Sequence, residues 1–131
     1  MIVGIAQIAL LVREYDEAKR FYCDKLGFVA VEDTPMPGGK RWVRLQAPGK
    51  NGSELLLSRA ETDEQRACVG KQAGGRVLFF LRTDDFAADY RSFSAKGVEF
   101  TEEPRDQDYG RVAVFKDLYG NRIDLIGPRT P

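Results

Sequence analysis

This chain is one pattern written twice. Gly27, Asn51, Glu54 and Leu55 return about seventy residues later, in the same spacing, as Gly97, Asn121, Asp124 and Leu125. Lys25-Leu26-Gly27-Phe28 answers Ala95-Lys96-Gly97-Val98, and Ser53-Glu54-Leu55-Leu56 answers Ile123-Asp124-Leu125-Ile126. A repeat of this length is a supersecondary unit with an apolar face too large to leave in water. Two copies, in one chain or in two, are needed to close a core.

Each copy reads as strand, helix, then three strands. Ile2 to Val12 is an apolar, β-branched run bounded by charge, which predicts a buried strand. Ala18, Phe21, Tyr22 and Leu26 then fall at helical spacing. Acidic residues crowd the start of that helix, and Gly27 suits a left-handed C-terminal cap. Residues 28–33, 41–47 and 54–58 read as strands, separated by Pro- and Gly-rich turns. A polar connector with a short helical turn follows, and the pattern restarts with a strand over 77–81. A second helix opens at Asp84 or Asp85, carries Phe86, Tyr90 and Phe93 on one face and ends at Gly97. Residues 98–102, 111–115 and 122–126 read as the last three strands. This reading makes 1–131 a single domain, with module one over 1–58, the connector over 59–75 and module two over 76–131.

The chain contains no histidine at all. That excludes a Ser-His-Asp triad, a Cys-His pair and any histidine-based zinc or iron centre, since imidazole is the usual proton shuttle and metal ligand. Lysine plus arginine balances aspartate plus glutamate at 20 each. No global field steers nucleic acid, and no basic stripe interleaved with aromatics appears. Cys23 and Cys68 lack metal-ligand spacing and read as isolated thiols. Residues 1–11 are apolar but lack the basic start of a secretion signal, and no run is long enough to span a bilayer as a helix. A cytoplasmic protein without nucleic-acid or membrane partners is the expectation.

Gln7-Ile8-Ala9-Leu10-Leu11-Val12 leads into Asp16-Glu17-Ala18-Lys19-Arg20-Phe21-Tyr22 and Leu26-Gly27-Phe28. Asp117-Leu118-Tyr119-Gly120-Asn121-Arg122-Ile123-Asp124-Leu125 closes the pattern. With these segments the chain resembles the vicinal oxygen chelate superfamily, which contains glyoxalase I, the bleomycin and fosfomycin resistance proteins and the extradiol dioxygenases. The resemblance implies an α+β fold of paired βαβββ modules, curled into an open, mixed, barrel-like sheet with helices outside. It also implies a small-molecule cavity and a homodimer. In metal-using members four inward side chains hold the ion, and the matching positions here are Gln7, Glu54, Leu78 (or Val77) and Asp124. Three of these offer oxygen and the third does not, where well-known relatives use histidine at one or both first-strand positions.

Gln7, Glu54 and Asp124 would make a hard oxygen set suited to magnesium or manganese, while a metal-free site stays open and the cofactor is unknown. Two carboxylates in an apolar hollow would raise at least one pKa, so Glu54 and Asp124 are candidate acid–base groups. Trp42, Leu78, Tyr109 and Arg111 are candidate substrate contacts. Arg111 or Arg41 is able to clamp a carboxylate or phosphate, and Trp42 to stack on an aromatic ligand, with core packing as its alternative. Two functions stay open: an atypical lyase, isomerase or dioxygenase relative without the histidine ligands, or a non-catalytic drug- or metabolite-binding protein of the resistance type.

Overall fold

The computed structural model describes residues 1–129, and the chain divides between Val69 and Gly70 into two units of α+β structure. That division lies inside the segment read as a connector. The first unit runs β1 (Gln7–Val12), α1 (Tyr15–Arg20), β2 (Val29–Pro35), β3 (Arg41–Gln46), β4 (Glu54–Arg59) and α2 (Asp63–Cys68). The second runs β5 (Val77–Arg82), α3 (Phe86–Ala95), β6 (Glu99–Phe100), β7 (Arg105–Gln107), β8 (Gly110–Lys116) and β9 (Arg122–Gly127).

In the first unit the strands order as β1-β4-β3-β2, with β1 parallel to β4 and the other pairs antiparallel. The second unit repeats this as β5-β9-β8-β6, with β7 also on β8. Both sheets are mixed and open. The strand expected from Ile2 begins only at Gln7, because its partner β4 starts at Glu54. Before that point the Glu54 amide donates to the Ala6 carbonyl, and the Ser53 hydroxyl donates to the Ile5 carbonyl.

Side chains alternate across a strand, so each sheet has two faces. On one face of the first sheet Leu10, Val12, Val43, Leu45, Leu55 and Leu57 are buried. Helix α1, whose Tyr15 and Ala18 are buried, packs on β3 and β4. Beyond Arg20 the helix widens into a π-helical turn over Phe21–Lys25, which buries Phe21 and Tyr22 together. Their rings meet edge to face, and Tyr22 meets Phe28 in the same way. Burying an aliphatic or aromatic side chain of this size contributes about 1.5–3 kcal/mol, so this layer supplies most of the unit's stability. Gly27, at φ +81, ends the turn, and Gly97, at φ +84, ends α3 in the same way.

The second unit departs from its twin in two places. The strand equivalent to β2 is broken into β6 and β7, both antiparallel to β8. The residues around Arg105, read as a loop from sequence, therefore include a short strand. In addition, the β5–β9 register slips between Val77 and Phe79. Leu78 lies in that slip, and Phe80, rather than Leu78, pairs with Asp124 as Gln7 pairs with Glu54.

Candidate functional site

Gln7, Ala9, Leu11, Trp42, Arg44, Glu54, Leu56 and Ser58 share the sheet face of the first unit opposite α1, as the register requires. At one end of this face Gln7 and Glu54 stand side by side, and the Gln7 amide donates to Glu54 Oε1 at 3.3 Å. Arg44 reaches both carboxylate oxygens: Nε lies 2.9 Å from Oε1, and Nη2 donates to Oε2 at 3.3 Å. Its remaining nitrogen, Nη1, donates to Glu32 at 2.9 Å. Glu54 is thus a neutralised, hydrogen-bonded carboxylate rather than a free base. A divalent cation at this carboxylate would face the guanidinium, so Gln7 and Glu54 in this arrangement do not fit one. Among the described residues no group of three or more His, Cys, Asp or Glu side chains comes together to hold a metal ion.

Asp124 occupies the equivalent strand position in the second unit and has a different environment. Only 6% of it is exposed, its register partners are Phe80 and Val114, and its Oδ1 has no hydrogen-bond partner. Burial pushes its carboxyl above the ordinary 3.8. The charge of Arg105 acts the other way, and that of Glu102 adds to the rise. The repeat therefore presents one acid paired with an arginine and one buried with an unpartnered oxygen.

At the opposite end of these strands, drawing on both faces of the sheet, lies a pocket of about 380 Å³. Leu11, Leu56, Ser58 and Trp42 form its floor, and Tyr15, Met36, Lys40, Arg41, Leu57, Arg59, Glu61 and Gln65 complete the lining. The hairpin of β2 and β3 places Met36 and Lys40 at the rim: the Met36 amide donates to the Lys40 carbonyl at 2.8 Å around Pro37–Gly39. Gly38 and Gly39 both take left-handed φ, which this tight reversal needs.

The cations of the pocket differ in how they are held. Arg41 grips Asp33 through Nε and Nη2, and Asp16 through Nη2. Its hydrogen bonds, with help from Lys19, hold the Asp33 carboxyl down to about 2. Arg59 pairs with Glu61 at 3.2 Å and lies 3.9 Å from Glu14, while both Arg41 and Arg59 stand over the Tyr15 ring. Lys40 makes no ion pair among the described residues.

Of the residues singled out from sequence, Trp42 lines this pocket, and Gln7 and Glu54 lie on the same sheet face. Asp124, Leu78, Tyr109 and Arg111 belong to the second unit. Tyr109 is 66% exposed. Arg111 is engaged by Asp106 through Nε and Nη2, at 2.9 and 3.2 Å. Sequence reasoning passed over Tyr15, Met36, Lys40 and Arg59. Their signal was the Pro-Met-Pro-Gly-Gly-Lys turn beside the only tryptophan, which brings Met36 and Lys40 to one end of a hairpin.

Residues 4–125 match the model of the Glyoxalase/Bleomycin resistance protein/Dioxygenase superfamily, and the chain belongs to that family. It is 53% identical to an uncharacterized protein of Shewanella frigidimarina over 124 residues, covering 94% of this chain and 92% of that one. Among solved structures it is similar to UcmS2, with a TM-score of 0.83, 27% identity, and 96% and 98% of the two chains covered. It is also similar to TnmS3, an antibiotic binding protein from Streptomyces sp. CB03234, with a TM-score of 0.78, 29% identity, and 97% of each chain covered.

Proposed function

We propose that this protein binds a small molecule in the pocket at one end of its first sheet, without metal and without transforming it. The observation that carries this reading is the 380 Å³ pocket, floored by Leu11, Trp42, Leu56 and Ser58. Its floor is largely apolar, and polar and charged side chains, Lys40, Arg41, Arg59, Glu61 and Gln65, stand around it, as orienting groups do in small-molecule sites. The absence of histidine and the neutralisation of Glu54 by Arg44 weigh against acid–base chemistry on this face. Similarity to an antibiotic binding protein favours sequestration of a drug or metabolite as the biological role. In this reading the two units form one glyoxalase-like domain acting in the cytoplasm as a homodimer. Support for the dimer comes from the exposed apolar run of Met1, Ile2, Val3, Ile5 and Ile8, which a second copy would cover.

A second reading, an atypical lyase, isomerase or dioxygenase relative, is favoured by the buried, unpartnered Oδ1 of Asp124 and its raised carboxyl. Such a group keeps its proton to higher pH than an ordinary aspartate, as a general acid needs.

Trp42 is the sole tryptophan, so intrinsic fluorescence reports on the pocket directly. Titration with a panel of aromatic ligands is expected to give saturable quenching, with every ligand recovered unchanged. Absence of any saturable response sinks the binding reading, and conversion of a ligand, lost in Asp124→Asn, favours the second.

A further inference from the structure

The charges around the pocket specify its ligand more narrowly than its shape does. Three cations, Lys40, Arg41 and Arg59, and a single acid, Glu61, contribute to the lining. Asp33 and Asp16 satisfy Arg41, and Glu61 and Glu14 stand against Arg59. What remains without an ion-pair partner among the described residues is the ammonium of Lys40, whose backbone is held in the turn by the Met36–Lys40 hydrogen bond. The same lining supplies polarisable surfaces, the Trp42 indole and the Met36 thioether, together with the apolar Leu11 and Leu56. An aromatic ring gains from contact with such groups, and sulfur makes favourable contacts at ring edges. No acid in the lining is free to receive a cation, because the one present, Glu61, lies 3.2 Å from Arg59.

We propose that the pocket takes a planar aromatic ligand carrying an anionic group, a carboxylate, phenolate, sulfonate or phosphate. The rings lie against Trp42 and Met36, and Lys40 meets the anion. This rests on the first sheet's pocket being a binding site, and it names the ligand class. It also separates this chain from a trap for cationic drugs, because a cation would meet Lys40, Arg41 and Arg59 at the rim.

The test compares three probes through Trp42 quenching in the intact protein: anilinonaphthalene sulfonate, neutral phenylnaphthylamine with the same rings, and a cationic acridine dye. The sulfonate is expected to bind at least about fivefold more tightly than the neutral probe, as one partly exposed, charge-assisted contact allows, and the acridine dye most weakly. In Lys40→Gln the ratio of sulfonate to neutral affinity falls towards one, and in Lys40→Arg it is retained. Both substitutions are at an exposed rim position, and circular dichroism and melting temperature confirm that the variants fold. Equal affinity for all three probes, or a preference that survives Lys40→Gln, overturns the proposal while leaving the pocket as a binding site. No quenching by any probe overturns the pocket itself, so the two failures are told apart.

Discussion

Asp124→Asn is expected to make the protein more stable. The residue is only 6% exposed and Oδ1 has no partner, so the folded state desolvates the carboxylate, with only the charge of Arg105 acting to offset the loss. An unsatisfied buried polar group costs about 1–3 kcal/mol, and more when charged. Asparagine keeps the shape and removes the charge, but its own amide still lacks a full set of partners, so a gain of about 1 kcal/mol is expected. For a chain of 131 residues, an unfolding entropy of about 0.28 kcal/mol/K turns that into a rise of about 4 °C in Tm.

The pH dependence gives the sharper signature. A carboxyl whose folded value lies above its unfolded one holds its proton longer in the folded state. Wild-type stability from this group is therefore greatest in acid. It falls as pH rises from about 3.8 through the raised folded value and stays low above that. Differential scanning calorimetry of both proteins across this range should show the asparagine variant ahead at neutral pH and level with wild type near the ordinary carboxylate value. A variant that melts lower at neutral pH, or one whose advantage does not change with pH, refutes the reasoning: Asp124 would then be satisfied in the folded protein.

Arg44→Ala leaves Glu32 and Glu54 without the guanidinium they share, and urea denaturation at neutral pH should show a loss of about 1–3 kcal/mol. Asp33, held near 2 chiefly by Arg41, contributes stability that is present above about 3.9 and lost as pH falls towards 2. Asp33→Asn should flatten that part of the acid-denaturation curve, as followed by circular dichroism. Gly70→Ala strains a residue at φ +79 and drives its Cβ into the Tyr119 carbonyl, so a drop of at least about 2 kcal/mol in unfolding free energy is expected.

Much of the architecture was legible because it depends on local, periodic signals. The apolar face of α1, the strands of each sheet and the left-handed glycines at 27 and 97 all follow from spacing and backbone preference. The π-helical turn at Phe21–Lys25 was not legible, since the same apolar spacing suits an ordinary helix. Nor was the slip at Leu78: a seventy-residue offset from Gln7 and Glu54 sets Val77 beside Asp124, but the strand register places Phe80 there. Strand β7 was hidden because Arg105-Asp106-Gln107 carries no apolar alternation; it forms by pairing with β8.

The site was less legible than the fold. Glu54 stands out in the repeat, but its partner Arg44 does not, and that ion pair changes the carboxylate from a free group to a satisfied one. Trp42 was identifiable as a lone aromatic, whereas Met36 and Lys40 join it only because a Pro- and Gly-rich turn folds the hairpin end over the sheet face. Which cation stays unpaired is decided by long-range neighbours such as Asp16 and Glu14, and no local pattern encodes that.

The most direct measurement is heteronuclear NMR of the labelled protein during titration with anilinonaphthalene sulfonate. The Trp42 indole N–H and the methyl groups of Leu11 and Leu56 are predicted to shift together along one saturation curve, with the residues of α3 little affected. Saturating shifts confined to other surfaces, with the Trp42 signal unmoved, would contradict the account.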